Sequence, residues 1–132
     1  MDGYILSIDQ STQKTKAFIF DAQGRLLSKS ALPHRQIINE RGWVSHDPEE
    51  IYSNLITVIR NAIQAAHIDP SEVKAIGISN QRETSLIWDR KSGAALENAV
   101  VWQCDRADEI CKRPDIFEKA DRSEEHTSEL QS

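Results

Sequence analysis

Hydrophobic and polar positions alternate along the first third of the chain in a way that predicts three short strands. The strands are expected at residues 4–9 (YILSID), 16–20 (KAFIF) and 26–32 (LLSKSAL), where aliphatic and aromatic residues recur with period two. A polar stretch, residues 10–15, joins the first two strands, and residues 21–24 (DAQG) have the composition of a turn. Short polar connections between consecutive strands favour an antiparallel meander.

The clearest helical pattern begins after Asp47. This residue is a good N-cap, Pro48 suits the first helical position, and Glu50 is placed to complete a capping box. Apolar residues then recur at helical spacing, at Ile51, Leu55, Val58, Ile59, Ala62, Ile63 and Ala66. The pattern predicts a helix of about 19 residues, roughly 28 Å long, which Asp69 and Pro70 end.

The segments around this helix complete an alternation of helices and strands. Residues 33–45 fit neither period and are expected to form a surface excursion. Residues 73–79 (VKAIGIS) are predicted to be a strand that pairs in parallel, because a helix between two strands of one sheet makes a crossover connection. Further strands are predicted at residues 84–88 (TSLIW) and 100–102 (VVW), and a helix at 107–112. The expected fold class is therefore α/β with a mixed sheet.

Composition and charge limit the classes of function that fit this chain. With 132 residues, 39% of them hydrophobic and 28% charged, it has the size and composition of one soluble globular domain. The longest apolar runs are four residues and the first residues do not resemble a signal peptide, so a cytoplasmic protein without a membrane partner is expected. The net charge of -5 argues against a nucleic-acid partner, and two cysteines are too few for a disulfide framework or a zinc site. A domain that binds a small molecule remains.

The end of the chain differs from the rest. Residues 122–132 (RSEEHTSELQS) show no apolar periodicity and resemble the in-frame translation of a DNA sequencing adapter. We therefore expect a truncated domain over residues 1–121 and a non-native tail over residues 122–132, with a natural polar tail as the alternative. A domain interrupted in this way is expected to leave an apolar sheet edge uncovered.

Asp9 stands at the end of the first predicted strand, before a turn rich in hydroxyl and amide side chains. A carboxylate in this place suits a hydrated Mg²⁺, because hard cations take oxygen ligands from one or two carboxylates together with phosphate groups. Backbone N–H groups and hydroxyls of such a turn can face phosphate oxygens, although this turn lacks the glycines of a Walker loop. An aspartate that only ends the strand is the alternative.

Two charged residues and a tryptophan follow later strands. Arg82 and Glu83 belong to the sequence NQRET directly after the predicted strand at residues 73–79, and ligands of open α/β sheets lie beyond the carboxyl ends of parallel strands. A guanidinium donates to two oxygens and a carboxylate accepts from hydroxyls, which suits a polyol unless the two groups form only a solvated ion pair. Trp102 can offer its ring face to the C–H groups of a substrate, or serve as an ordinary packing residue.

Four blocks of sequence occur in the order found in one enzyme family. They are LSIDQSTQKTKAFIFD (residues 6–21), GWVSHDPEEI (42–51), AIGISNQRET (75–84) and NAVVWQCDRADEIC (98–111). Over these blocks the chain resembles the N-terminal domain of the glycerol kinases, within the FGGY carbohydrate kinase family of the actin/Hsp70/sugar-kinase superfamily. The resemblance implies an actin-like, RNase H-like mixed sheet, and it covers only about the first quarter of a typical member.

The resemblance also implies roles for individual residues. Arg82 and Glu83 would bind the glycerol hydroxyls, with Trp102 as an apolar wall, and Asp9 would lie near the Mg²⁺ ion and the phosphates. The residues implied at the nucleotide phosphates are Thr12, Gln13, Lys14 and Lys16. In the turn, Lys14 departs from the small residues usual in the family. Lys16 stands where many relatives have arginine, which keeps the charge but loses the guanidinium fork.

The activity implied for the parent protein is ATP-dependent phosphorylation of glycerol to glycerol 3-phosphate, with ATP and Mg²⁺ as cofactors. The family's catalytic base, an aspartate, lies further downstream than this chain reaches, so the chain alone is expected to be inactive. A kinase for another sugar or polyol, such as xylulose or gluconate, and a non-catalytic domain of the same fold are the alternatives. The sequence leaves the oligomeric state of the parent open, including a homo-oligomer.

Overall fold

The computed structural model describes residues 3–116 and contains two sheets and one long helix. The strands are β1 (Tyr4–Gln10), β2 (Lys14–Phe20), β3 (Leu26–Pro33), β4 (Ile37–Ile38), β5 (Val44–His46), β6 (Val73–Asn80) and β7 (Ala99–Val100). The helices are α1 (Pro48–Ala65) and the short α2 (Asp108–Cys111), with one turn of 3₁₀ helix at Pro70–Glu72. The predicted tail at residues 122–132 lies outside the described residues.

The larger sheet has the strand order β3-β2-β1-β6. β1, β2 and β3 form the predicted antiparallel meander, with Ile8 opposite Ala17. β6 returns through α1 and pairs in parallel with β1, so that Gln10 lies beside Asn80 at the last position of both strands. The expected mixed α/β sheet is therefore confirmed. It places the carboxyl ends of β1 and β6 side by side, where ligand crevices form in such sheets.

Helix α1 begins as the sequence predicts, apart from one contact. The Asp47 side chain accepts a hydrogen bond from the Glu49 backbone N–H at 3.0 Å, and Pro48 opens the first turn. The predicted capping box is wrong, because the Glu50 carboxylate turns to Arg35 and accepts from its backbone N–H (3.2 Å) and its Nε (2.9 Å). This ion pair fixes the segment after β3 to the start of the helix.

The core lies between α1 and one face of the meander. Its buried residues are Leu6, Ile8, Ala17, Ile19, Val58 and Ala62. β6 continues the same sheet face beyond the reach of α1: Ile76 and Ile78 lie beside Leu6 and Ile8 in register, yet their side chains are 60% and 69% exposed. The expected uncovered apolar edge is therefore present in the described part of the chain.

The smaller sheet corrects two expectations. Residues 33–45 are more than a surface excursion, because they contain β4 and most of β5, which pair with each other and with β7 in the order β4-β5-β7. Strands of two or three residues are too short to show a period in the sequence. The strand predicted at residues 84–88 does not form: only Ser85 and Trp88 make isolated bridges, to Val100 and Ala95. Within residues 3–116, no helix has both the length and the apolar character needed to cross a bilayer.

Candidate functional site

An open cleft of about 400 Å³ lies where β1 and β6 end side by side. One wall is the end of β1 and the turn that follows it, and the other is the end of β6 and the loop that follows it. The lining residues are Asp9, Gln10, Ser11, Thr12, Asn80, Gln81, Arg82, Glu83 and Trp102. The cleft thus brings together residues from three of the four sequence blocks, which are up to 93 positions apart.

The first wall is a tight turn that presents Thr12. The backbone N–H and the hydroxyl of Ser11 both donate to the Lys14 carbonyl at 2.9 Å, which closes the turn between β1 and β2. Asp9 precedes this turn on the sheet face opposite to α1, since its neighbour Ile8 is buried against the helix. The wall therefore offers one carboxylate, hydroxyl groups and turn backbone to the cleft.

The second wall is a loop held at both ends. At one end it continues β6. At the other, Ser85 and Val100 exchange two backbone hydrogen bonds of 2.9 Å, which join the loop to the smaller sheet. Between these anchors Glu83 adopts a φ of +54°, in the left-handed region that non-glycine residues seldom occupy. Such a conformation persists only where the surroundings impose it, and it is frequent at ligand sites.

Arg82 and Glu83 are both exposed to the cleft. Among residues 3–116, neither forms an ion pair with the other or with a third side chain. The solvated ion pair that the sequence left as an alternative is therefore absent from the described part of the chain. Arg82 and Glu83 line the same cleft, and a guanidinium with five donors beside a carboxylate with two acceptor oxygens suits a ligand with several hydroxyl groups.

Trp102 reaches the cleft through the smaller sheet. β7 pairs with β5, Val101 is buried directly after it, and the next residue projects into the cleft with its side chain 54% exposed. The indole Nε1 donates to Thr12 Oγ1 at 3.0 Å. Trp102 is thus not a core residue. The indole N–H is held by Thr12 of the first wall, while much of the ring remains exposed to the cleft.

The structure does not bring Gln13, Lys14 and Lys16 into this cleft. The two lysines line a second concavity of about 330 Å³ together with Phe18 and Lys29. Lys16 is the register partner of Asp9, so the second concavity adjoins the cleft on the same sheet face. Gln13 is exposed, and its carbonyl accepts from the His34 backbone N–H at 3.2 Å.

A buried histidine pair that the sequence analysis did not identify lies behind the walls. The His46 ring is fully buried and meets the buried ring of His34 at 4.5 Å between centroids. Burial, reinforced by a smaller Coulombic contribution from the neighbouring His34, lowers the pKa of His46 to about 4, and only Glu50 opposes this. No sequence signal marks His46, because its hydrogen-bond partners Gln36 and Gln81 are 10 and 35 positions away.

The donor set of the cleft suits a hard cation that brings its own ligands. Among residues 3–116, no three histidine, cysteine, aspartate or glutamate side chains are grouped as a metal cage requires. Asp9 is a single carboxylate beside hydroxyl groups. Mg²⁺ is commonly held in this way, by one or two carboxylates while substrate phosphates and waters complete its octahedron.

Comparison with known proteins gives one family. Residues 4–131 match the FGGY family of carbohydrate kinases, N-terminal domain. The chain is 47% identical over 109 residues to glycerol kinase 1 of Thermotoga maritima, an alignment that covers 83% of this chain and 22% of the relative. It therefore spans about a fifth of the length of the curated relatives it matches.

Solved structures with a similar fold are also carbohydrate kinases. The crystal structure of Plasmodium falciparum glycerol kinase with ADP superimposes with a TM-score of 0.75 at 41% identity, covering 83% of this chain and 22% of that one. Gluconate kinase from Lactobacillus acidophilus gives a TM-score of 0.80 at 22% identity, with 92% of this chain and 25% of that one covered. At that identity the second match supports the fold alone.

Proposed function

The chain belongs to the FGGY family of carbohydrate kinases, and we propose that it forms the polyol half of the active site of an ATP-dependent glycerol kinase. The observation that carries the proposal is the shared cleft of Arg82, Glu83 and Trp102. In this reading the whole protein transfers the γ-phosphoryl group of ATP to a glycerol hydroxyl, and residues 3–116 bind and orient the acceptor.

Glycerol fits the chemistry of these three side chains. The Arg82 guanidinium donates to hydroxyl oxygens, and the Glu83 carboxylate accepts from hydroxyl protons, so neighbouring hydroxyls of one polyol satisfy both. The exposed face of the Trp102 indole packs on the C–H groups of the carbon backbone. Holding the acceptor in one orientation is the main contribution that a kinase makes to phosphoryl transfer, together with electrostatic stabilisation.

The nucleotide side of the reaction is assigned to the first wall. The Thr12 hydroxyl accepts from Trp102 and still has its own proton to donate, which suits a phosphate oxygen. Asp9 would hold Mg²⁺, which neutralises phosphate charge when it is bound. Lys14 and Lys16, in the adjoining concavity, would add positive charge toward the phosphates from the same sheet face.

The catalytic base is assigned to a part of the whole protein outside this chain. Within residues 3–116 the carboxylates that line the cleft are Asp9 and Glu83, and the proposal already gives both a binding role. Phosphoryl transfer further requires a site closed against water, whereas this cleft is open. The chain alone is therefore expected to bind glycerol without turning it over.

A chimera tests this function. The aligned part of the chain would replace the matched segment, 109 residues long, of the Thermotoga maritima glycerol kinase 1. ATP consumption would be measured with glycerol, xylulose and gluconate as acceptors. We expect glycerol-dependent turnover that falls at least tenfold with Arg82→Lys, because lysine lacks the two-pronged donor. The matched control is Arg90→Lys, since Arg90 is exposed outside the cleft. A folded chimera that consumes ATP with gluconate or xylulose but not with glycerol would contradict the proposal.

A further inference from the structure

A network of three consecutive hydrogen bonds connects the two walls of the cleft through residues that do not line it. Gln36 Nε2 donates to the Thr12 backbone carbonyl at 2.8 Å. Gln36 Oε1 lies 2.6 Å from His46 Nε2, and His46 Nδ1 lies 3.3 Å from Gln81 Nε2. Thr12 belongs to the first wall and Gln81 to the second, while Gln36 and His46 do not line the cleft.

The first contact fixes the direction of every later one. A backbone carbonyl can only accept, so Gln36 must turn its NH₂ group to Thr12 and its oxygen to His46. That oxygen also only accepts, so the proton of neutral His46 must be on Nε2. Nδ1 is then the acceptor, and Gln81 must donate to it. One tautomer of His46 satisfies all three contacts, and the other tautomer breaks the contact with Gln36 and requires the Gln81 amide to rotate.

The surroundings hold His46 in place. The side chain is fully buried, and the residue pairs with Ala99 of β7, three positions before Trp102. The groups facing the ring from neighbouring elements are His34 after β3 and Glu50 of α1, the latter already paired with Arg35. In a buried setting each hydrogen bond is stronger than in water, and losing an acceptor leaves a buried donor unpaired.

We propose that His46 is a positioning residue, neutral and protonated on Nε2, that holds the Gln81–Arg82–Glu83 loop in register with the Thr12 turn. What the two walls bind rests on the proposed function above, whereas the coupling between them does not. Protonation of His46 turns Nδ1 into a donor, so the present contact with Gln81 Nε2 is lost and the Gln81 amide must rotate to offer Oε1, an oxygen that has no partner among the described residues. This rearrangement lies directly before Arg82 and Glu83.

The first test uses the 132-residue chain without substitution. Long-range ¹H–¹⁵N correlation spectra of the histidine rings distinguish the two neutral tautomers, because protonated and unprotonated ring nitrogens resonate far apart. We expect the Nε2–H tautomer for His46 at pH 7, and a neutral ring down to about pH 5. An Nδ1–H tautomer, or a cationic ring at pH 7, would overturn the proposal.

The second test disrupts the hydrogen-bond network at Gln36, a residue that does not line the cleft. Gln36→Glu removes the donor to the Thr12 carbonyl at every pH and places a carboxylate beside His46 Nε2–H. The carboxylate raises the pKa of His46 by about one unit or more, so that the ring becomes a donor at both nitrogens at a higher pH than in the unsubstituted chain. The control Gln64→Glu makes the same change at an exposed position of α1. We expect the backbone amides of Arg82 and Glu83 to shift in the first variant as His46 becomes protonated, to shift back as the pH is raised, and to show no such titration over the same pH range in the control.

A positioning role also predicts an effect on the ligand. Glycerol affinity should fall about tenfold in Gln36→Glu at a pH where His46 is cationic, and should recover only in part at a pH where it is neutral, because the contact with the Thr12 carbonyl is lost at both. Amides of Arg82 and Glu83 that ignore the His46 titration would overturn the proposal. If those amides follow the titration but glycerol binds to neither protein, the positioning role is supported and the proposed function fails.

Discussion

The indole Nε1 of Trp102 donates a hydrogen bond to Thr12 Oγ1 across 3.0 Å, joining residues that are 90 positions apart in the chain. Trp102 comes from the smaller sheet and Thr12 from the turn between two strands of the larger one. The contact therefore connects the proposed apolar wall for the polyol with the proposed phosphate turn. A polyol held on the indole is placed beside the group that would face the phosphates.

Replacing Trp102 by phenylalanine separates the two functions of the indole. Trp102→Phe keeps an aromatic face but removes the donor to Thr12, so glycerol binding should weaken about fivefold, the equivalent of about 1 kcal/mol for one hydrogen bond. Titration calorimetry on the chain measures this. Trp88→Phe is the matched control, since that indole is also more than half exposed but lies outside the cleft. Equal affinities for both variants and the unsubstituted chain would show that the indole donor has no part in binding.

Replacing Glu83 by glutamine should weaken glycerol binding by removing a charged acceptor. Hydrogen bonds to charged groups contribute about 1.5–3 kcal/mol, so the affinity should fall at least tenfold. Glu97→Gln is the control, because Glu97 is exposed and does not line the cleft. A competition experiment between glycerol and 1,2-propanediol, which lacks one hydroxyl, measures how much that hydroxyl contributes to the affinity. A Glu83→Gln chain that binds glycerol as tightly as the control would exclude the carboxylate as an acceptor for the polyol.

The stability of the fold should depend on pH through His46. Its pKa is lowered to about 4 by burial, from 6.5 in the unfolded chain. Between these values the unfolded state binds more protons than the folded state, so stability is complete above about pH 6.5 and is lost as the pH falls toward 4. The free energy of unfolding should drop by about 2 kcal/mol between pH 7 and pH 5.

Urea denaturation at the two pH values measures this drop. His67→Gln should keep it, because His67 is exposed after α1 and is not a member of the buried pair. His46→Phe, although less stable overall, should show a much smaller difference between pH 7 and pH 5. An unfolding free energy for the unsubstituted chain that is equal at both values would contradict the assignment of a neutral, buried His46.

Two isoleucines in register show how unevenly the sheet is covered. Ile8 and Ile78 are paired on adjacent strands, but the first is buried under α1 and the second is 69% exposed. Ile8→Ala should cost about 2–5 kcal/mol, as in other well-packed cores. Ile78→Ala should lower the free energy of unfolding by less than about 1 kcal/mol. It should also reduce self-association, because it removes apolar area from the exposed edge of the sheet. Thermal melting and light scattering on both variants provide the comparison. Equal losses of stability would contradict the difference in burial between Ile8 and Ile78.

The larger sheet and α1 could be predicted closely from the sequence, since each element is long enough to show its period. β1, β2, β3 and β6 begin and end within two residues of the predicted bounds, and Asp47 caps α1 as expected. Most of the smaller sheet could not be predicted, because β4 and β5 have two or three residues each and depend on pairing with distant segments. Only β7 (Ala99–Val100) overlaps a predicted strand, the one at residues 100–102. The capping box failed for a similar reason: Arg35, outside the helix, takes the Glu50 carboxylate.

The candidate site was predictable where residues sit at strand ends and not where they lie behind them. Asp9 lies near the end of β1, and Arg82 and Glu83 follow β6, which pairs in parallel with β1, so one topological expectation brings them together. Trp102 reaches the cleft only through the smaller sheet, and its role as an apolar wall was predicted from the family resemblance. Nothing local marks Gln36 or His46, since a buried hydrogen-bonded histidine has the same sequence signature as an exposed one.

In the proposed function, Arg82, Glu83 and Trp102 bind one glycerol molecule together. The most direct measurement is a titration of the ¹⁵N-labelled chain with glycerol, following the indole N–H of Trp102 and the backbone amides of Arg82 and Glu83. If the three side chains bind one molecule, these three signals shift together with a single dissociation constant, while the Trp88 indole signal stays unchanged. Signals that remain still in the cleft, or that move instead around Lys14, Lys16 and Lys29, would contradict it.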